Sequence, residues 1–216
     1  MIKAMKKLFL LLSLFCVTAI VNAQNKDVTK FLGMRVDGTK SEMLGKLKIK
    51  GFRPTSFDSE ILVGEFNGYE VEAYVVTNKG RVWRIMLMDV VGRNEANIKL
   101  RYNNLCDQFR NNEKYFSFPE RDQKIPEDEN ISYNMNVKNK RYQAVFYQMP
   151  EDLSKYSIED FSGLSKESKA DFLAMILGTN LIEKKSVWFT IGEIRGDYYI
   201  IMYYDNRYNM ANGEDL

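Results

Sequence analysis

The dipeptide Asn67-Gly68 stands between two runs of alternating residues, 61–66 and 69–77. Asn-Gly suits the left-handed angles of a two-residue turn, and such a turn joins antiparallel neighbours only. In the second run Glu70 and Glu72 alternate with Val71 and Ala73, the period-two pattern of a strand. Asn78-Lys79-Gly80 turns the chain again into residues 81–91. There Trp83, Ile85 and Leu87 are expected on one face, with Val82, Met86 and Met88 on the other. Both faces are apolar, which predicts a central strand. Arg195-Gly196 likewise joins residues 186–194 to 197–205. A chain punctuated in this way is committed to an antiparallel sheet.

Helices fall between these strands. Thr39-Lys40-Ser41-Glu42 has the spacing of a capping box, in which Thr39 and Glu42 each satisfy a main-chain amide of the other. Met43, Leu44 and Leu47 follow at helical spacing, and Gly51 supplies the stop. Asn94 caps a second helix to about residue 112, with Ile98, Tyr102, Leu105 and Phe109 as its apolar stripe. Before them, residues 31–36 read as a short extended segment ending at Asp37-Gly38. Later, residues 131–137 and 141–149 read as a hairpin turning at 138–140. Residues 151–163 are weakly helical, and Ser165 opens a stronger helix bearing Phe172, Leu173, Ile176 and Leu177 up to Gly178. The segment 118–130, with Pro119 and Pro126, is the linker or long loop. The class is α+β: antiparallel sheet with helices on one face, in two related halves, 24–117 and 131–206, and a polar tail, 207–216, that frays.

Residues 1–23 read as an export signal. Lys3, Lys6 and Lys7 form the basic start, residues 8–21 the apolar run, and Val21-Asn22-Ala23 the cleavage site. The run is shorter than the ~20 residues of a membrane span. Phe15 before Cys16 disfavours lipoprotein processing, which wants a small residue there. Cleavage removes three cations and no acid, so 28 cations would face 29 acids. A nearly neutral chain offers no electrostatic case for nucleic acid. No later stretch is long and apolar enough to span a bilayer.

Two absences narrow the chemistry. The sequence has no histidine, which removes the usual general base and imidazole metal ligand. Cys106 is the only cysteine after the signal, so neither an internal disulfide nor a zinc site is expected. No cofactor or metal is expected. The acidic tail departs from a calcium loop, because Arg207 stands where an oxygen ligand is required.

Gly64-Glu65-Phe66-Asn67-Gly68 and Gly192-Glu193-Ile194-Arg195-Gly196 echo one another, each followed by an apolar strand. A structural repeat explains the echo; shared turn chemistry is the alternative. The order strand, turn, helix and β-meander is similar to the units of the β-lactamase-inhibitor-like and PepSY-like families of exported bacterial proteins. Residues 31–52, the hairpin at 64–68 and the ending Tyr203-Tyr204-Asp205-Asn206 with Ala211-Asn212-Gly213-Glu214-Asp215-Leu216 resemble secreted proteins from Bacteroidetes. That second resemblance covers most of the chain after the signal and implies no particular activity; the first concerns fold alone.

Candidate sites follow from side-chain type. Alternation in Tyr198-Tyr199-Ile200-Ile201-Met202-Tyr203-Tyr204 puts Tyr199, Ile201 and Tyr203 on one side of the strand. With Trp188, Tyr142 and Tyr147 they would form an aromatic recognition face, unless the strand is covered on both sides. The same rings would suit sugar stacking, without a sequence feature to favour it. Glu65 and Glu193 would serve acid–base chemistry only at about 5–9 Å. The expected function is a non-enzymatic binding module for a protein or peptide of the cell envelope, in the periplasm or outside the cell. The alternative is a carboxylate-dependent hydrolase acting on envelope polymers.

Overall fold

The computed structural model describes residues 26–118, 123–152, 165, 168, 171–172, 175 and 183–211. The expected signal and most of the expected helix after Ser165 lie outside the described residues. Within that helix, Ser168, Asp171, Phe172 and Met175 are helical, and Ser165 Oγ accepts from the Ser168 amide at 3.2 Å.

The first element among the described residues is a small hairpin, β1 (Lys30–Phe31) and β2 (Met34–Arg35). Helix α1 (Lys40–Ile49) follows, with both halves of its capping box in place. Next come β3 (Arg53–Pro54), β4 (Leu62–Phe66), β5 (Tyr69–Asn78) and β6 (Arg81–Asp89). Helix α2 (Glu95–Asn111), capped by Asn94, leads to β7 (Tyr115–Phe116). Helix α3 (Ile131–Asn136), β8 (Gln143–Gln148), β9 (Lys185–Ile194) and β10 (Asp197–Asn206) complete the order.

Strands β3 to β10 form one antiparallel sheet in the order β3-β4-β5-β6-β10-β9-β8-β7. Helix α1 precedes the strands of one half and α2 those of the other, and the order is mirrored about β6–β10. The echoing hairpins do not occupy mirrored places. β4–β5 stands opposite β8–β9 in this order, whereas the echo joins β4–β5 to β9–β10. Turn chemistry accounts for it: Asn67-Gly68, Lys79-Gly80 and Arg195-Gly196 all have two positive φ angles. Gly64 and Gly192 recur for different local reasons. A Cβ on Gly64 would meet the Phe52 ring at 2.7 Å, and one on Gly192 would meet Ile201 at 2.8 Å.

Helices α1, α2 and α3 share one face of the sheet. Met43 and Leu47 from α1, Ile98, Tyr102, Leu105 and Phe109 from α2, and Ile131 and Met135 from α3 join one core. The sheet contributes Val71, Ala73, Ile85, Leu87, Phe146, Phe189, Ile200 and Met202. The Phe109, Phe146 and Phe189 rings stack, with centroids 4.8 to 6.1 Å apart. Each buried phenylalanine is worth roughly 1.5–3 kcal/mol. Cys106 is buried in this core.

Four local expectations are corrected: residues 31–36 are not one extended segment but turn at Leu32-Gly33. Residues 131–136 are helix, not strand. Ile131, Tyr133, Met135 and Val137 alternate like a strand, but Ile131 and Met135 also stand one helical turn apart, and those two are the buried ones. The Asn130 side chain accepts from the Tyr133 amide and starts the helix. In β6, a register shift opposite Val76 and Thr77 puts Val82, not Trp83, with buried Ile85 and Leu87. The polar tail is anchored as far as Asn209, whose Nδ2 donates to Asp37 at 2.9 Å and to the Val82 carbonyl at 2.8 Å.

Both sheet edges are blunted. At one, β3 carries Pro54, which has no amide to offer. Along β8, the Gln123 side chain bonds both main-chain groups of Val145, standing in for a strand.

Candidate functional site

The outer face is the one that α1, α2 and α3 leave uncovered. Register places Tyr74, Met86, Tyr203, Trp188 and Val145 in one row across β5, β6, β10, β9 and β8. None of the five belongs to the core, and each is part-buried. Trp188 and Tyr203 stack with centroids 4.0 Å apart and planes 20° from parallel. Ile201, Met88 and Glu72 continue a second row beside them.

A charged pair anchors this face. Arg84 on β6 lies opposite Asp205 on β10, and its guanidinium reaches both carboxylate oxygens, at 2.6 and 2.7 Å. The Trp188 indole N–H donates to the same carboxylate at 2.9 Å. The guanidinium also lies 4.2 Å from the Trp83 ring centre and 4.5 Å from that of Tyr203. Arg84 keeps 20% of its side chain exposed and Asp205 only 2%. The planar ion pair therefore fixes ring orientation, while cation–π contact holds the rings to the charge. Burial raises the Tyr203 hydroxyl above its ordinary pKa. Tyr74 is pushed up to about 12 by burial and by its hydrogen bond to Glu72.

The five expected aromatic residues part company here. Trp188, Tyr199 and Tyr203 share the outer face. Tyr199 lies over Gly92, where a Cβ would come 2.8 Å from its hydroxyl. Tyr147 is also on the outer face but is buried against Phe116 and Phe118. Tyr142 is not part of that face: it is buried on the core side, with its hydroxyl donating to Glu129 at 2.5 Å. Burial and that carboxylate push it up to about 12. Sequence reading missed the Arg84–Asp205 pair; its signal was a lone arginine inside the apolar run 82–88.

Glu65 and Glu193 belong to β4 and β9, with β5, β6 and β10 between them. Four strand spacings put them about 19 Å apart, too far to share one substrate bond. Glu193 accepts from Asn136 at 3.1 Å. Among the described residues, no three His, Cys, Asp or Glu side chains group as a metal site. No helix among them is long and apolar enough to cross a membrane.

On the helical side, a cavity of about 800 Å³ opens between the end of α2, the β1–β2 turn and the residues after β8. Phe66, Leu105, Phe109, Tyr115 and Tyr204 line it. The Tyr204 hydroxyl, fully buried, bonds to Tyr115 and is held well above its ordinary pKa by desolvation. Lys185 at the margin is buried, its ammonium donating to Asp27 at 2.6 Å and the Met149 carbonyl at 3.0 Å. Burial lowers its pKa, and the Asp27 contact opposes that shift.

Compared with protein-family models, curated proteins and solved structures, the chain matches none.

Proposed function

We propose that the protein is an exported, non-enzymatic binding module that holds a protein or peptide partner of the cell envelope on the outer face of its sheet. The observation that carries this reading is the row Tyr74, Met86, Tyr203, Trp188 and Val145, part-buried and outside the core. Large rings give contact area at little entropic cost, and here an ion pair orients them beforehand. The basic and apolar pattern of residues 1–23 supports export. So does the resemblance to secreted Bacteroidetes proteins. Two related halves would produce the mirrored strand order.

The test is capture from envelope extract by the protein and by a variant carrying Tyr199→Ser and Tyr203→Ser. Captured partner should fall by about tenfold or more, as for loss of hot-spot rings. Equal capture by a variant with native circular dichroism and an intact melting transition would remove the aromatic face from the reading.

A further inference from the structure

We propose that the cavity beside α2 is a second binding site, which takes a short extended peptide with an apolar side chain under Leu32. The proposal carries the binding-module reading to the opposite side of the molecule and does not depend on the outer face.

Leu32 is the first observation. It occupies the first corner of the β1–β2 turn with φ +48°, followed by Gly33 at +79°. The Cβ of an L-residue is crowded in that region, so a bulky side chain is held there at a cost. The three other tight hairpin turns put Asn67, Lys79 and Arg195 at the same corner, all polar. Leu32 instead presents an apolar side chain that is 39% exposed and lies outside the core. It lines the cavity mouth. A leucine that suits neither its turn nor the solvent, and adds nothing to the core, is explained by a ligand that covers it.

The margin selects the ligand class. Lys30, Lys114 and Lys185 are balanced by Glu65, Glu113 and Glu151, so a polyanion gains nothing there. Asn67 Nδ2 donates to Gln108 Oε1 at 2.7 Å. Both side chains are exposed, which leaves the Asn67 Oδ1 and the Gln108 Nε2 accessible at the cavity rim. One accessible acceptor beside one accessible donor matches the N–H and C=O of a peptide unit. An alkyl chain would use neither. The apolar floor of Phe66, Phe109 and Tyr115 then takes a side chain, and a volume of about 800 Å³ accommodates a few residues.

The test titrates ¹⁵N-labelled protein with the capped peptide acetyl-Gly-Ser-Phe-Ser-Gly-amide, with versions carrying leucine or glutamate at the centre, and with decanoate. The phenylalanine and leucine peptides should give saturable shifts at the amides of Leu32, Gly33, Asn67 and Gln108, and the glutamate peptide none. Leu32→Gly relieves the turn, so its Tm should be equal or higher. Its Kd for the phenylalanine peptide should nevertheless rise about tenfold, the loss of one apolar contact. Absence of shifts at those amides with both apolar peptides overturns the proposal, as does an unchanged Kd in Leu32→Gly. Binding of decanoate without either peptide overturns the peptide class. Shifts confined to Trp188, Tyr199 and Tyr203 would sink the cavity site and leave the outer-face reading standing.

Discussion

Each face of the sheet carries a buried aspartate paired with arginine. On the helical face, Arg101 of α2 meets Asp89 at the end of β6, with both bonds at 3.0 Å. Arg93 reaches the same carboxylate at 2.6 Å, and the Arg101 guanidinium lies 3.4 Å from the Tyr69 ring centre. That pair is closed in, with 5% and 2% of the side chains exposed. It ties a helix to a strand. On the outer face, Arg84 and Asp205 tie strand to strand, and the arginine keeps a fifth of its side chain in solvent. The same chemistry thus serves as a fastening where α2 covers it and as a scaffold for rings on the face that α1, α2 and α3 leave open. Burial decides between the two roles.

Removing each carboxylate measures that difference. Asp89→Asn strands two guanidinium groups beside an uncharged amide in the core, and it should cost about 3–5 kcal/mol in urea unfolding. A cost under about 1 kcal/mol would mean that the helical-face pair fastens nothing. Asp205→Asn should cost less, about 1.5–3 kcal/mol, because Arg84 can turn to water. Tryptophan emission should change in that variant, since the Trp188 N–H loses a charged acceptor; unaltered emission would contradict the outer-face arrangement.

A smaller effect compares the faces by titration. Tyr74 on the outer face and Tyr142 on the core side are both raised to about 12. The fold favours their neutral forms over an unfolded value near 10. Their contribution is therefore complete below about pH 10 and is lost as pH rises through about 12. Absorbance at the phenolate band should place both among the tyrosines that titrate late, and Tyr142→Phe and Tyr74→Phe should each remove one from that late group. The smallest effect expected is at Ser186, whose buried hydroxyl has no hydrogen-bond partner among the described residues. Ser186→Ala should be neutral or stabilising by up to about 1 kcal/mol. A clear loss of stability in the same urea assay would reveal a bond the structure does not contain.

The elements that were legible in the sequence have local causes. Thr39 and Glu42 announce α1 because a capping box needs only four residues. Asn67-Gly68 and Arg195-Gly196 announce hairpins because the turn angles are a property of those residues themselves. The misses have causes elsewhere. Alternation in 131–137 fits strand and helix alike, and the covering of Ile131 and Met135 by the core decides for helix. Trp83 changes face because β6 slips against β5, an event set between strands. The β1–β2 hairpin was not seen because leucine is no turn residue, so Leu32-Gly33 gave no signal. Of the site, Trp188, Tyr199 and Tyr203 were legible from period two alone. Tyr142 was not, because its face depends on which side of β8 the helices occupy.

The position of β10 sets an order of events. It follows every other strand among the described residues, yet it lies at the middle of the sheet, between β6 and β9. A ribosome that has released residues only as far as β6 holds a meander whose inner edge is still bare. The two halves cannot close on one another until residue 206 has emerged. Such late, long-range pairing makes folding slow, on the scale of milliseconds to seconds. The central place of β10 builds that delay into the fold.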